Sequence, residues 1–239
     1  MSAGTLHAEI KRRIVVALGE GRWKHGQAIP SEQALARRFK ASVGTVRRAV
    51  SELVAENVLV RRQGSGTYVA SHTRDYMLSV FFWIVDEKGR KELPRVEVLS
   101  YRRARADAAT AARLRLPPGA PVIRVRALQR IGGRPMMVDD IRMPQALFPA
   151  LNEPMFRSRD GTIYGFFQER FGITVVRVVE RLQARAAGAA VSAALAVPGG
   201  APVLRIERTA YTYGDVPVET RVRYVNTARL AYLSQLGRR

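Results

Sequence analysis

The stretch PSEQALARRFKASVGTVRRAVSELVAENVLVRRQGSGTYV, residues 30–69, decides the fold of the N-terminal part of this chain. It contains two short helical patterns, joined by a tight connection and followed by a basic hairpin pattern. Ser31 and Ser42 stand at the starts of the two helical patterns, where a serine hydroxyl caps the free backbone N–H groups. The order helix, tight turn, helix, hairpin therefore predicts a winged helix-turn-helix over residues 1–70.

The second helical pattern has two different faces. Apolar residues recur at spacings of three and four and predict a buried side, formed by Val46, Ala49, Val50 and Leu53. The opposite side carries Thr45, Arg47, Arg48 and Ser51. Polar and basic residues near the N-terminus of such a helix are typical of a recognition helix that enters the DNA major groove.

The hairpin pattern predicts the wing. Apolar residues flank a turn that contains Arg61, Arg62, Gly64, Ser65 and Gly66. Glycines let the backbone approach a groove closely, and arginines neutralise phosphates. An alternative interpretation is a winged helix that contacts proteins, but the wing tip and the recognition side are both basic, which favours DNA.

These motifs in this order resemble the DNA-binding domain of the GntR family of bacterial transcription regulators. The carriers are Pro30-Ser-Glu, Ser42-x-x-Thr-Val-Arg-Arg-Ala and Arg61-Arg-Gln-Gly-Ser-Gly-Thr-Tyr-Val. The chain departs from many members at Gln33 and Val43, where those have arginine. The resemblance implies an interface with double-stranded DNA formed by Ser31, Glu32, Gln33, Ser42, Thr45, Arg47, Arg48, Arg61, Arg62, Gly64, Ser65 and Gly66.

Composition limits the function classes. The formal net charge is +20, which favours polyanionic partners. Residues 1–70 hold 12 basic and 5 acidic residues, and the remainder holds 28 and 15, so the excess is spread along the chain. With no cysteine and three scattered histidines, we expect no disulfide, no metal site and no cofactor. The absence of a signal peptide pattern favours the cytoplasm.

The rest of the chain predicts a second domain. We place a linker at 71–77 and a sheet-rich domain at 78–239. Alternating strands are expected at 96–100, 122–127 and 203–206, and helices at 106–114, 163–171 and 189–195. Residues 114–126 match residues 195–207 at an offset of 81, and Gly133 and Gly214 keep that offset. This internal repeat predicts an antiparallel sheet with helices against it, and an α+β chain overall.

This second part resembles the UTRA effector-binding domain of the HutC subfamily. The resemblance covers about residues 78–235, and its carriers include Gly133-Arg-Pro, Thr162-Ile-Tyr, Phe171-Gly-Ile, Ile206-Glu-Arg and Pro217-Val-Glu. It implies a fold of the chorismate lyase type that serves as a small-molecule sensor. The effector-binding residues that we expect are Ser79, Arg124, Arg126, Asp139, Thr162, Tyr164, Glu180, Glu219 and Tyr224. Two arginines on one strand face suit an anionic effector.

The sequence thus predicts a homodimeric regulator, a repressor that an effector releases from a palindromic operator. Two other functions are alternatives to this one. A constitutive DNA-binding dimer would use the second domain only to dimerise. An enzyme would use the lyase-like fold, but no nucleophile with a base, metal spacing or phosphate loop is present, so we expect no catalytic residue.

Overall fold

The computed structural model describes residues 6–234, except for the side chains of Arg74, Asp75 and Ser79. Its helices are α1 (Leu6–Gly19), α2 (Glu32–Phe39), α3 (Val43–Ala55), α4 (Arg74–Val80), α5 (Ala108–Leu114), α6 (Glu153–Arg157), α7 (Ile163–Phe171) and α8 (Ala189–Leu195). Its strands are β1 (Leu59–Arg62), β2 (Gly66–Val69), β3 (Ile84–Asp86), β4 (Arg95–Arg105), β5 (Pro121–Ile131), β6 (Arg134–Pro144), β7 (Arg177–Ala186), β8 (Pro202–Thr212), β9 (Val216–Asn226) and β10 (Leu230–Tyr232). None of the helices in this described part is long and apolar enough to cross a membrane.

The chain divides into two compact units. The first comprises the chain up to His72 together with Tyr164–Arg177 and Thr212–Val216. The second comprises Thr73–Ile163, Val178–Tyr211 and the chain from Pro217 onward. The chain therefore passes between the units five times, after residues 72, 163, 177, 211 and 216.

The helices of the first unit follow the capping signals of the sequence. The Ser31 hydroxyl accepts a hydrogen bond from the backbone N–H of Ala34, and the Ser42 hydroxyl accepts one from that of Thr45, so both predicted caps are confirmed. The apolar sides of α1, α2 and α3 meet in one core, which the predicted residues Val46, Ala49, Val50 and Leu53 enter together with Ile10, Ile14 and Leu35. Strands β1 and β2 form the wing.

Two further segments complete this unit. Val176, which precedes β7, and Tyr213, in a short 3₁₀ turn at Tyr213–Asp215, pack against the winged-helix core. Helix α7 contributes Gln168, a buried side chain that binds the chain at the end of the wing. Gln168 donates to the carbonyl of Ala70 at 3.1 Å and accepts from the N–H of His72 at 2.9 Å. The winged helix thus includes residues from far along the sequence.

Around Gln168 lies a neutral polar cluster, which we define as His72, Gln168 and Thr174. All three side chains are buried. Gln168 also donates to the Thr174 hydroxyl at 3.1 Å, and the Nε2 of His72 lies 2.8 Å from the Val175 carbonyl oxygen. Since that oxygen can only accept, Nε2 carries the proton. Burial lowers the pKa of His72 to about 4, so the imidazole is neutral near pH 7.

The second unit is built on a six-stranded sheet in the order β4-β5-β6-β9-β8-β7. The register of β4 with β5, β5 with β6 and β6 with β9 is antiparallel, as the sequence predicts. Helix α5 precedes the hairpin β5–β6, and α8 precedes β8–β9. The predicted internal repeat remains an interpretation of this succession. No sequence pattern predicts the short pair β3–β10, and helix α4 begins at Arg74, inside the segment 71–77 that we predict as a linker, because the Thr73 side chain caps it by accepting from the N–H of Tyr76.

The two faces of this sheet have different neighbours. On one face, Met137, Ile206 and Val225 pack with Ile84 of β3 and Leu230 of β10. We call it the cavity face. On the other face, Leu128 and Val138 pack with Leu195 of α8. We call it the helix face.

Candidate nucleic-acid interface and effector site

The expected DNA-contacting residues all lie in the first unit and nearly all point to solvent. Glu32 and Thr45 are half-buried, and the exposed members are Ser31, Gln33, Ser42, Arg47, Arg48, Arg61, Arg62, Gly64, Ser65 and Gly66. Such exposure at the start of α3 and at the wing tip is what groove and phosphate contacts need.

Glu32 joins three elements of this interface. One of its carboxylate oxygens accepts from Nε of Arg47 on α3 at 2.8 Å, and the other accepts from Arg61 on β1 at 2.9 Å. Arg61 also donates to the hydroxyl of Ser51 at 3.0 Å. The carboxylate therefore holds the recognition helix and the wing arginine together at the N-terminus of α2. Phosphates of a bound duplex would compete with it for both guanidinium groups.

The wing tip is ordered by aromatic and hydroxyl contacts. The Arg62 guanidinium lies 4.4 Å from the ring centre of Tyr68, a cation–π distance. The hydroxyl oxygens of Ser65 and Tyr68 are 2.6 Å apart. Gly64 and Gly66 have φ angles of 71° and 117°, which favour glycine over other residues. The turn that the sequence predicts here therefore depends on both glycines.

Strand register separates the expected effector residues into two groups. Arg126 is paired with Asp140, whereas Asp139 is paired with Ala127. Since directly paired residues point to the same side of a sheet and neighbours along a strand point to opposite sides, Arg126 and Asp139 lie on opposite faces. Arg124 lies with Arg126 on the helix face.

The other expected residues are distributed as follows. Tyr224 packs against the helix-face cluster of Leu128 and Val138, while Asp139, Glu219 and Glu180 belong to the cavity face. Thr162 immediately precedes α7. Tyr164 is fully buried in the first unit, with its ring centre 6.1 Å from that of Phe167. Ser79 lies in α4, and its side chain is outside the described part.

On the cavity face, buried carboxylates and arginines form what we call the acid–arginine network. Asp139 is its centre and is 1% exposed. Its carboxylate accepts from Arg223 through two bonds of 2.7 Å, from Gln129 at 2.6 Å and from Arg221 at 3.3 Å. Arg221 in turn binds the buried carboxylate of Glu219. Each ion is thereby compensated by a neighbour, as buried charges require.

Glu180 and Arg208 extend the network toward β10. Nε of Arg208 donates to Glu180 at 2.7 Å, and its Nη2 donates to the carbonyl of Phe81 at 2.7 Å. The Tyr232 hydroxyl donates to the other oxygen of Glu180. Burial and this carboxylate raise the pKa of Tyr232, so the phenol keeps its proton.

The two carboxyl groups titrate below their ordinary range. Burial alone would raise the pKa of Asp139, but the charges of Arg223 and Arg221 outweigh burial and lower it. The same competition, with Arg208 as the main opposing charge, lowers the pKa of Glu180. Both groups are therefore ionised at neutral pH.

A narrow cavity opens onto the network. Its free volume is about 10 Å³, roughly the room that one water molecule needs. Its lining consists of Trp83, Ile84, Glu180, Ile206, Arg208, Arg221, Arg223 and Tyr232. Trp83 and Ile84 come from the β3 region and Tyr232 from β10, so the β3–β10 pair forms one wall of this cavity.

Arg159, which is not part of the cavity lining, adds a cation close enough to Arg221 to interact with its charge. Burial and the charge of Arg221 lower its pKa to about 10. Its guanidinium stacks 4.1 Å from the Phe156 ring centre, and among the described residues its buried Nε has no hydrogen-bond partner. Arg159, Arg208, Arg221 and Arg223 therefore outnumber Asp139, Glu180 and Glu219 by one positive charge.

Sequence reasoning missed most of the arginines of this site. Arg221 and Arg223 alternate along β9 with Glu219, which the sequence does single out. That shared period is the signal that places all three on one face. Alternating arginines are more often found on a solvated face, so burial of this face could not be deduced from the strand itself.

Family comparisons agree with this architecture. The model for bacterial regulatory proteins of the gntR family matches residues 6–69, and the model for the UTRA domain matches residues 89–231. The chain is 28% identical over 230 residues to the "Probable fructoselysine utilization operon transcriptional repressor" of Escherichia coli (strain K12), covering 94% of this chain and 92% of that protein. It is 30% identical over 219 residues to an HTH-type transcriptional regulator of Mycobacterium tuberculosis, covering 91% of this chain and 80% of that one.

A solved structure shares the sheet unit. The ligand-binding domain of a GntR-family transcriptional regulator from Bordetella bronchiseptica is similar to this chain with a TM-score of 0.62 and 30% identity. The similarity covers 66% of this chain and 98% of that domain.

Proposed function

This chain belongs to the GntR family of bacterial regulatory proteins and carries a UTRA domain, so it is a ligand-responsive DNA-binding regulator and not an enzyme, and we propose that its effector is an anion bound at the acid–arginine network. The observation that carries the proposal is the excess of arginine over carboxylate in and beside the cavity, with Arg159 as a cation that has no carboxylate partner among the residues that the structure describes.

Physical chemistry favours a carboxylate or phosphate here. A buried guanidinium with an unsatisfied donor costs free energy that an anionic ligand recovers. Arginine also binds planar carboxylates and phosphates through two parallel hydrogen bonds, which gives specificity as well as affinity. Trp83 and Tyr232 in the lining of the cavity favour a ligand with an apolar or aromatic part.

On the DNA side, we propose a cytoplasmic homodimer that represses transcription from a palindromic operator. Thr45 and Arg47 contact base edges or nearby phosphates, while Arg48, Arg61 and Arg62 contact phosphates. The wing tip around Gly64 and Gly66 approaches the minor groove.

Effector binding relieves repression by favouring an arrangement of the two DNA-binding units that fits the operator poorly. A ligand shifts this equilibrium only as far as it binds one arrangement better than the other. Residues 71–77 are one route for this shift, and the four other chain crossings between the units are further routes.

The test is thermal melting of the full chain against sugar phosphates, carboxylic acids and aromatic acids. A ligand of the native state raises stability by about 2.7 kcal/mol at a hundredfold excess over Kd. An active compound should also release operator DNA from the wild-type protein.

Arg159→Met is the informative variant, because removal of Arg159 leaves no buried carboxylate unpaired. We expect it to melt near the wild type without ligand and to lose the shift with ligand. Arg126→Met probes the helix face, where the sequence places an effector contact, and Arg185→Met is the matched control, because Arg185 is exposed on β7 and is outside the cavity lining. Loss of the shift in Arg126→Met alone would move the effector to the helix face and overturn this proposal. A panel in which only neutral compounds raise the midpoint would also contradict it.

A further inference from the structure

The helix face carries arginines that the effector cavity does not use. Arg102 of β4 is paired with Arg124 of β5, and Arg124 is paired with Arg142 of β6. The three side chains therefore stand in a line across three adjacent strands, on the same face. Arg126 lies two residues along β5 and points to this face as well. We call these four residues the arginine row.

Directly paired side chains are close. Their Cβ atoms are about 4.5–5.5 Å apart, and like charges in such positions destabilise a sheet. Two successive arginine pairs across β4, β5 and β6 thus carry an electrostatic cost. An anion bound near these arginines would reduce their mutual repulsion and would thereby stabilise the sheet.

The carboxylates near the row compensate only part of its charge. Asp140 accepts from Nε of Arg124 at 2.9 Å and lies 3.4 Å from Nη2 of Arg142. Asp107 lies near both arginines but already caps α5, accepting from the N–H of Thr110 at 2.7 Å.

The other two arginines have no such compensation. Within residues 6–234, neither Arg102 nor Arg126 forms an ion pair or a side-chain hydrogen bond. Four arginines therefore face two carboxylates, which leaves an excess of two positive charges.

Partial burial of the arginine row strengthens its electrostatic attraction for anions. The side chains of Arg124 and Arg142 are 28% and 18% exposed, so they are partly shielded from water, whereas Arg102 is open to solvent. Electrostatic attraction is stronger in such a partly dry site than on an open surface. An excess of two charges beside an accessible edge strand matches a phosphate dianion, whose oxygens accept from several guanidinium groups.

We propose that the arginine row is a second anion-binding site, which takes the phosphate group of a small molecule on the helix face of the sheet. This site is separate from the effector cavity, since Asp139 and its partners point to the opposite face. Arg102 and Arg126 supply the free donors, and the Arg124–Asp140–Arg142 group positions them.

The test uses the full-length protein with inorganic phosphate and pyrophosphate as probes, measured by calorimetry and thermal melting. The double variant Arg102→Gln, Arg126→Gln removes the two arginines without leaving a carboxylate unpaired. We expect its affinity for pyrophosphate to fall at least tenfold. Arg103→Gln is the matched control, because Arg103 is an exposed neighbour on the same strand that points to the other face. It should bind pyrophosphate as the wild type does.

Three results would overturn the proposal. One is unchanged binding in the double variant, and another is an equal loss in Arg103→Gln, which would indicate a response to net charge alone. The third is a matching loss of affinity for non-operator duplex DNA in the double variant, which would assign the row to the DNA backbone. The Arg159→Met variant keeps the two anion sites distinguishable, since it should bind pyrophosphate normally while losing the effector response.

Discussion

The two units solve the problem of buried polar groups in different ways. In the first unit, the neutral polar cluster of His72, Gln168 and Thr174 is held by hydrogen bonds between neutral groups. In the second unit, the acid–arginine network relies on ions that compensate one another around Asp139. A neutral cluster fixes one geometry, whereas a charged network with one surplus cation can accept an added anion. The first unit is thus held in one geometry by neutral hydrogen bonds, whereas the second contains the network at which we propose that the effector binds.

Removal of Asp139 should have the largest effect on this contrast. Asp139→Ala leaves Arg223 and Arg221 buried with reduced compensation, and breaking a buried ion pair in this way costs about 3–5 kcal/mol. The free energy of unfolding in urea measures the loss. Asp140→Ala, on the partly exposed helix face, should cost only about 1 kcal/mol. Equal losses of unfolding free energy in Asp139→Ala and Asp140→Ala would contradict a larger contribution from the buried network.

The pH range over which stability is lost should differ between the buried groups of the two units. The folded-state pKa of His72, about 4, lies below its ordinary value of 6.5, so the unfolded chain binds more protons between these values. The stability that neutral His72 provides is therefore complete above pH 6.5 and lost as pH falls toward 4, by about 3 kcal/mol in total. Asp139 and Glu180 have lowered pKa values, so their contribution is lost only at still lower pH, below their unfolded-state values near 4.

The urea midpoint measured from pH 7 to pH 3.5 tests this separation. His72→Gln should flatten the curve between pH 6.5 and 4.5 and leave the steeper loss at lower pH unchanged. A wild-type slope that survives in His72→Gln would assign the titration to another group.

Gln168 provides the smallest of the three expected effects. Gln168→Leu leaves the Ala70 carbonyl and the His72 N–H without their partner in a buried place, which costs about 1–3 kcal/mol. Glu169→Leu is the control, since Glu169 is its exposed neighbour on α7. Hydrogen exchange at the amide of His72 should become faster in Gln168→Leu alone. Unchanged exchange there would mean that Gln168 does not hold the end of the wing.

Local signals predicted several helix boundaries in both units. Ser31 and Ser42 cap their helices, and helices α7 and α8 begin and end where the periodicity places them, because these features depend on residues close in sequence. The place of α7 in the winged-helix unit depends on the contact of Gln168 with Ala70, 98 residues away. No local pattern carries that information.

The candidate effector site can be predicted only in part from the sequence. The alternation of side chains along a strand places Arg124 and Arg126 on the same face of the sheet. It does not show which face of the sheet borders a cavity. That outcome depends on where β3 and β10 pack, and both are three-residue strands without a strong pattern. The expected effector residues thus remain predictions: those on the sheet are divided between its two faces, whereas Ser79, Thr162 and Tyr164 lie outside the sheet.

The five chain crossings between the units change how this protein can be taken apart. A protease that cuts after His72 would leave the DNA-reading unit attached through Tyr164–Arg177 and Thr212–Val216. A fragment expressed as residues 1–72 would lack Val176 and Tyr213, which cover part of its apolar interior, and would expose that surface to aggregation. An isolated N-terminal fragment is therefore expected to be less stable than the same residues in the intact chain.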